Sequence, residues 1–112
     1  MKKIEIIIRP GMLDRVRDEL AQLEVHGMNY TDIRGYGRQL GHTEVYRGSV
    51  LHVDYLPKVK IEVVVQDDLV EQIINSVVAT ARTGQVGDGK IFVTDVLDAI
   101  RIRTGERGND AI

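Results

Sequence analysis

The stretch Thr83-Gly-Gln-Val-Gly-Asp-Gly-Lys90 concentrates more potential chemistry than any other part of this chain. Gly84, Gly87 and Gly89 let the backbone take positive φ angles and approach a ligand closely. Successive N–H groups can then turn toward one anion while Lys90 adds a full positive charge, which is the chemistry of a phosphate cradle. The spacing departs from the Gly-x-x-x-x-Gly-Lys-Ser/Thr phosphate loop: Gly84, Gly89 and Lys90 fit it, but Ile91 stands where a magnesium-binding hydroxyl is required. It is not a dinucleotide fingerprint either. Taken alone, the stretch also reads as an ordinary glycine-rich turn from a helix into the apolar run Ile91, Phe92, Val93. Arg101 and Arg103 favour the anion reading, because an extended Arg-Ile-Arg run would put both guanidinium groups on one face.

Composition restricts what these residues can serve. A chain of 112 residues is expected to form one domain, 1–112, with a real core but room for stabilisation by association. The balance of 15 basic against 17 acidic residues, net charge -2, argues against a general nucleic-acid or anionic-membrane binder. The lack of cysteine removes disulfides, thiolate metal sites and cysteine nucleophiles together. No apolar run approaches the length of a spanning helix, and a soluble cytoplasmic protein is expected.

Positioning the glycine stretch requires a frame, and the chain writes one twice. Lys3 to Arg9 is a β-branched strand broken by Pro10-Gly11, and Met12, Leu13, Val16, Leu20 and Leu23 then recur at helical intervals. A looser strand follows over Met28 to Tyr36. Lys60-Ile-Glu-Val-Val-Val65 repeats the phrase Lys3-Ile-Glu-Ile-Ile-Ile8, and at the same offset Leu13 maps to Val70, Val16 to Ile73, Leu20 to Val77 and Gly27 to Gly84. Asp67 and Asp68 read as the N-cap of the second helix. A duplicated β-α-β unit predicts an α+β, ferredoxin-like β-α-β-β-α-β sandwich, one antiparallel sheet with both helices on one face, closed by Ile91 to Thr94. Ile4, Ile6, Ile8, Ile61, Val63 and Val65 should face the helices, leaving Lys3, Glu5, Ile7, Lys60, Glu62 and Val64 on a mixed opposite face suited to a subunit interface or ligand cleft. Residues 37–55 form a long polar connection between the second and third strands with no convincing period. Asp95 to Ile100 reads as a short helix, and the 101–112 tail is too polar to pack by itself.

In these segments the chain resembles the PII signal-transduction family: Gly35-Tyr-Gly-Arg-Gln39, Gly41-His-Thr-Glu-Val-Tyr-Arg-Gly48, Leu56-Pro-Lys58, Thr83 through Val93, and Arg101-Ile-Arg-Thr-Gly-Glu106. The resemblance implies a homotrimer that binds ATP or ADP in clefts between subunits, with 37–55 as a mobile target-binding loop and 82–90 as the phosphate loop. It assigns the nucleotide to Ile7, Gly35, Gly37, Arg38, Val64, Gly87, Asp88, Gly89, Lys90, Arg101 and Arg103, with Ile7 and Val64 flanking the adenine. It gives Gln39 a role in holding magnesium on the ATP phosphates, and Gln39, Gly41 and Lys58 the binding of 2-oxoglutarate. Tyr46, Arg47, Gly48 and Ser49 would meet a target protein, such as an ammonium transporter or an enzyme of nitrogen metabolism. Membrane contact would come only through such a channel.

The sequence departs from the family where Leu51 replaces the loop-tip tyrosine that many bacterial members uridylylate, so that modification is not expected. Ser49 matches a position phosphorylated in some photosynthetic members, though a plain surface serine is the favoured reading. Asn29 and Leu40 replace a common threonine and lysine. The rival function is an adenylate-only sensor of the same fold that ignores 2-oxoglutarate. A dedicated enzyme is not expected, although slow ATP turnover is allowed. An RNA-binding sheet would need stacking aromatics that the central strands do not supply.

Overall fold

A computed structural model of the chain describes residues 1–36, 42–46, 49–53 and 55–112, with the strand path alone for the middle two segments. Its elements are β1 (Lys2–Ile8), α1 (Leu13–Gln22), β2 (Met28–Gly35), β3 (His42–Tyr46), β4 (Ser49–Val53), β5 (Leu56–Val65), α2 (Val70–Ala81) and β6 (Lys90–Asp95). The main sheet has the order β2-β5-β1-β6 with every neighbour antiparallel, which is the ferredoxin-like arrangement. Ile4, Ile6, Ile8, Val59, Ile61, Val63 and Val65 pack under Val16, Leu20, Ile73 and Val77, and all are buried. Both helices are too short to persist alone in water, so it is this packing that holds them.

The duplication read from the sequence is visible in three dimensions. Short 3₁₀ turns over Pro10–Met12 and Asp67–Leu69 lead into α1 and α2 at repeat-equivalent positions. Glu5 lies directly across the ladder from its own equivalent, Glu62, and Ser76 Oγ donates to its equivalent, Glu19, at 3.3 Å between the helices. A pseudo-twofold axis therefore passes between Glu5 and Glu62. Like charges face to face destabilise a sheet. Here each glutamate is neutralised along its own strand, Glu5 by Lys3 and Glu62 by Lys60, both at 3.2 Å.

Four local expectations need correction. The 37–55 connection does contain regular structure, because β3 and β4 pair as a two-stranded antiparallel sheet; Val45, Val50 and Val53 supply β-forming residues within a polar context that hid the pattern. Residues 96–99 are not helical: the tail folds back on them, with Ile100 bridging Arg107 and the Gly108 amide donating to Ala99 O at 2.9 Å. No side chain caps α2, and Asp67 pairs instead with the Met1 amine at 3.0 Å. Arg101 to Arg103 is not extended but enters a turn closed by Gly105 N–H to Arg101 O at 2.7 Å, so period-two alternation does not apply there. Among the described residues, no helix is long and apolar enough to cross a membrane.

Candidate functional site

The glycine loop joins α2 to β6 and is built around one carboxylate. Asp88 Oδ2 accepts from the Thr83 and Gly84 amides at 2.8 and 2.9 Å, while Oδ1 accepts from the Thr83 hydroxyl and from Arg9 Nη1. Four donors fill the acceptor capacity of a carboxylate. The Asp88 side chain therefore shapes the loop rather than receiving a ligand, and its own amide donates to Gln85 O at 3.4 Å. Two cations hold the loop's carbonyls from outside: Arg9 Nη2 donates to Val86 O at 3.0 Å and Lys58 Nζ to Gly87 O at 2.7 Å. Among the described residues the Gly87 N–H donates to nothing, so it is open to an anion. Gly87 and Gly89 have φ of 103° and 114°, and a Cβ on Gly89 would stand 1.8 Å from Ile7 O, so the loop lies directly on the end of β1.

These contacts shift protonation in two places. The Thr83 hydroxyl, then Arg9 and the Thr83 and Gly84 amides, hold the Asp88 carboxyl far below the usual carboxylate range, against an opposing effect of burial. Burial pushes the Lys58 ammonium below its ordinary value; Arg9 adds to the fall and Asp88 opposes it. A depressed carboxyl contributes stability in full above its unfolded value of about 3.9, and loses it only as pH falls through the lower folded value. The loop is thus expected to stay closed on acidification to about pH 4. Following the Asp88 carboxyl carbon by NMR checks this, and a midpoint at or above the ordinary aspartate value would contradict it.

The residues expected to form one nucleotide site fall at two ends of the molecule. Ile7 pairs across the sheet with Lys60 and Lys90, and Gly35, Lys58 and the 87–90 loop cluster around the same end; Gly35 lies so close that a Cβ there would meet Lys58 at 3.4 Å. Val64 instead pairs with Lys3, four residues further along β5 from Lys60, roughly 13 Å at strand spacing. Val64 lines a cavity of about 780 Å³ together with Asn29, Glu62 and Arg101. Ile7 and Val64 are repeat-equivalents, so the two half-sites are related by the internal pseudo-twofold axis.

Arg101 is held by Glu106 at 3.0 Å, and Arg103 is exposed on the tail's turn. Gly37, Arg38, Gln39, Leu40, Gly41, Arg47 and Gly48 lie outside the described residues, and for Tyr46, Ser49 and Leu51 only the strand path is described. Among the described residues no cluster of three His, Asp or Glu could hold a metal ion. Arg9 was not singled out from the sequence, because its partner Asp88 is 79 residues away and an arginine before Pro10-Gly11 has no distinguishing local pattern.

Comparison with known proteins agrees with the fold and with the order of these motifs. The family model described as nitrogen regulatory protein P-II matches residues 1–106. A nitrogen regulatory protein P-II of Haemophilus influenzae is 59% identical over 112 residues, and one of Pasteurella multocida 58%, each covering the whole of both chains. The nitrogen regulatory protein P-II 1 of Escherichia coli strain K12 is 56% identical over the same full length. With its fold, its glycine loop and its full-length similarity to these regulatory proteins in agreement, the chain belongs to the nitrogen regulatory protein P-II family.

Proposed function

We propose that this chain is a sensor of energy and carbon status. It takes ATP or ADP between the glycine loop of one copy and the Val64–Arg101 end of the next. With Mg-ATP bound it takes 2-oxoglutarate near Lys58, and it passes the result to a target protein through residues 37–55. The observation that carries this reading is the separation of Ile7 from Val64. A single adenine ring cannot span roughly 13 Å of strand, so two residues assigned to one base need two copies of the chain.

Two unlike half-sites at opposite ends require head-to-tail contact, and head-to-tail contacts that close make rings. The family resemblance sets the number at three. Leu97 and Ile102, respectively 97% and 100% exposed, and the half-exposed Phe92 are apolar surface that such contacts would cover. Within each cleft Gly87 to Lys90 would receive the phosphates, with Arg101 and Arg103 of the neighbouring copy and Arg38 adding charge. Gln39 would help hold magnesium on the triphosphate. Leu51 has no hydroxyl to carry a uridylyl group, which leaves ligand binding as the control and an ammonium transporter or a nitrogen-assimilation enzyme as the kind of target.

Light scattering is expected to report three times the 12.6 kDa chain mass, and calorimetry one nucleotide per chain. Lys90→Ala should weaken ATP and ADP alike by about ten-fold or more, the worth of one charge-assisted phosphate contact. A stable monomer at micromolar concentration that still binds nucleotide would overturn the shared cleft.

A further inference from the structure

We infer that Arg9 is a positioning residue that holds the Thr83–Lys90 loop in its anion-receiving shape through Asp88 and the Val86 carbonyl, without itself touching the ligand. The inference rests on the nucleotide reading above for the identity of the ligand, but its geometry stands on the loop alone.

The loop has an electrostatic difficulty. A carboxylate at its centre repels any phosphate that approaches, yet that carboxylate is what gathers the Thr83 and Gly84 amides and so sets the turn. Arg9 resolves the conflict from outside. Its planar fork places one nitrogen on Asp88 and the other on Val86 O at 3.0 Å, so a single side chain offsets the charge and holds the carbonyl back. Both terminal nitrogens of Arg9 are turned to the loop's own groups, Asp88 and Val86 O, so its fork is aimed at the loop and not at a phosphate. A lysine could supply the charge but not the rigid planar fork that reaches both groups at once.

Its origin matters as much as its contacts. Arg9 directly follows Ile8 at the end of β1, and Ile8 is buried in the core, so the fork is anchored to a central strand paired on both sides. The repeat-equivalent position in the second unit is Gln66, an uncharged side chain. The clamp therefore exists at only one of the two pseudo-symmetric ends, the end that carries the glycine loop. The Val64 half, at the other end, has no counterpart of it at this position.

The test compares Arg9→Ala, Arg9→Lys, Asp88→Asn and the Arg9→Ala/Asp88→Asn double variant with the wild type, using ADP as the probe. In the ligand-free proteins, amide hydrogen exchange at Thr83 and Gly84 should accelerate by about ten-fold in Arg9→Ala, with Val16 and Leu20 in the core unchanged. ADP affinity should fall by about ten-fold in either single variant and no further in the double, because both act through one network. Arg9→Lys should recover part of both effects. Unchanged exchange at Thr83 and Gly84 in Arg9→Ala would overturn the inference. So would a double variant that loses the product of the two single effects, since that is the signature of two residues acting independently and not through one network. If the wild type binds no ADP, it is the nucleotide reading that fails, and the exchange measurement alone decides the role of Arg9.

Discussion

Alanine at position 89 is expected to abolish measurable ATP and ADP binding while the chain still folds. Gly89 has φ +114°, a conformation that L side chains rarely adopt, and an added Cβ would sit 1.8 Å from Ile7 O and 2.9 Å from the carbonyl carbon behind it. Both are backbone atoms of a strand paired on two sides, so no rotamer change relieves the overlap. The loop itself must move off β1. Holding a residue in a disfavoured backbone region alone costs on the order of 1–3 kcal/mol, and the steric overlap adds to that. Since each 1.4 kcal/mol is ten-fold in affinity, the expected loss is about a hundred-fold or more. Gly84→Ala is the control. Gly84 also has a positive φ, but nothing lies within 4 Å of the added Cβ, so only the backbone preference is lost and the effect should be much smaller. Calorimetry with ADP, beside thermal melting by circular dichroism, separates loss of the site from loss of the fold. Binding within about three-fold of wild type in Gly89→Ala would remove the glycine loop from the nucleotide site.

The demand placed on Gly89 by its φ also shows why some of the molecule was legible in one dimension and some was not. A glycine required by φ, or an apolar residue required every second position, is a local demand, and it is written locally. That is why the buried face shared by Ile4, Ile6, Ile8, Ile61, Val63 and Val65, the two helices, and the glycine loop could all be read from spacing. The duplication helped, since two copies of one phrase had to share one fold. The failures all involve partners that no local period encodes. Asp98, which looked like part of a short helix, is engaged by Arg107 from the returning tail. Asp67 left its expected cap for the Met1 amine. The Arg101 to Arg103 run curls because its backbone bonds to Glu106 and Gly105. Ile7 and Val64 could be placed on one face by counting, but their separation along that face depends on which residues pair between β1 and β5. That register is what turns a list of site residues into two half-sites.

The second large effect concerns Lys58. With Mg-ATP saturating, the wild type is expected to bind 2-oxoglutarate, with ADP or without magnesium it is not, and Lys58→Ala should bind none under any condition. Lys58 is half-buried, and its ammonium already donates to Gly87 O at 2.7 Å in the ligand-free chain. An ammonium has three donors, so it can keep that carbonyl and still meet a carboxylate with the remaining two. One side chain would then touch both ligands' sites, the dicarboxylate directly and the phosphates through Gly87. Lys58→Ala should accordingly also weaken ADP, by roughly the few-fold worth of one hydrogen bond, a smaller loss than Gly89→Ala causes. Linkage makes the coupling reciprocal: whatever factor ATP adds to 2-oxoglutarate affinity, 2-oxoglutarate must add to ATP affinity. Titrating each ligand at fixed concentrations of the other measures both factors. Unchanged 2-oxoglutarate binding in Lys58→Ala would take Lys58 out of that site. A wild type that binds no 2-oxoglutarate under saturating Mg-ATP would identify an adenylate-only sensor, in which Lys58 serves Gly87 alone and ADP affinity is the only quantity its replacement changes.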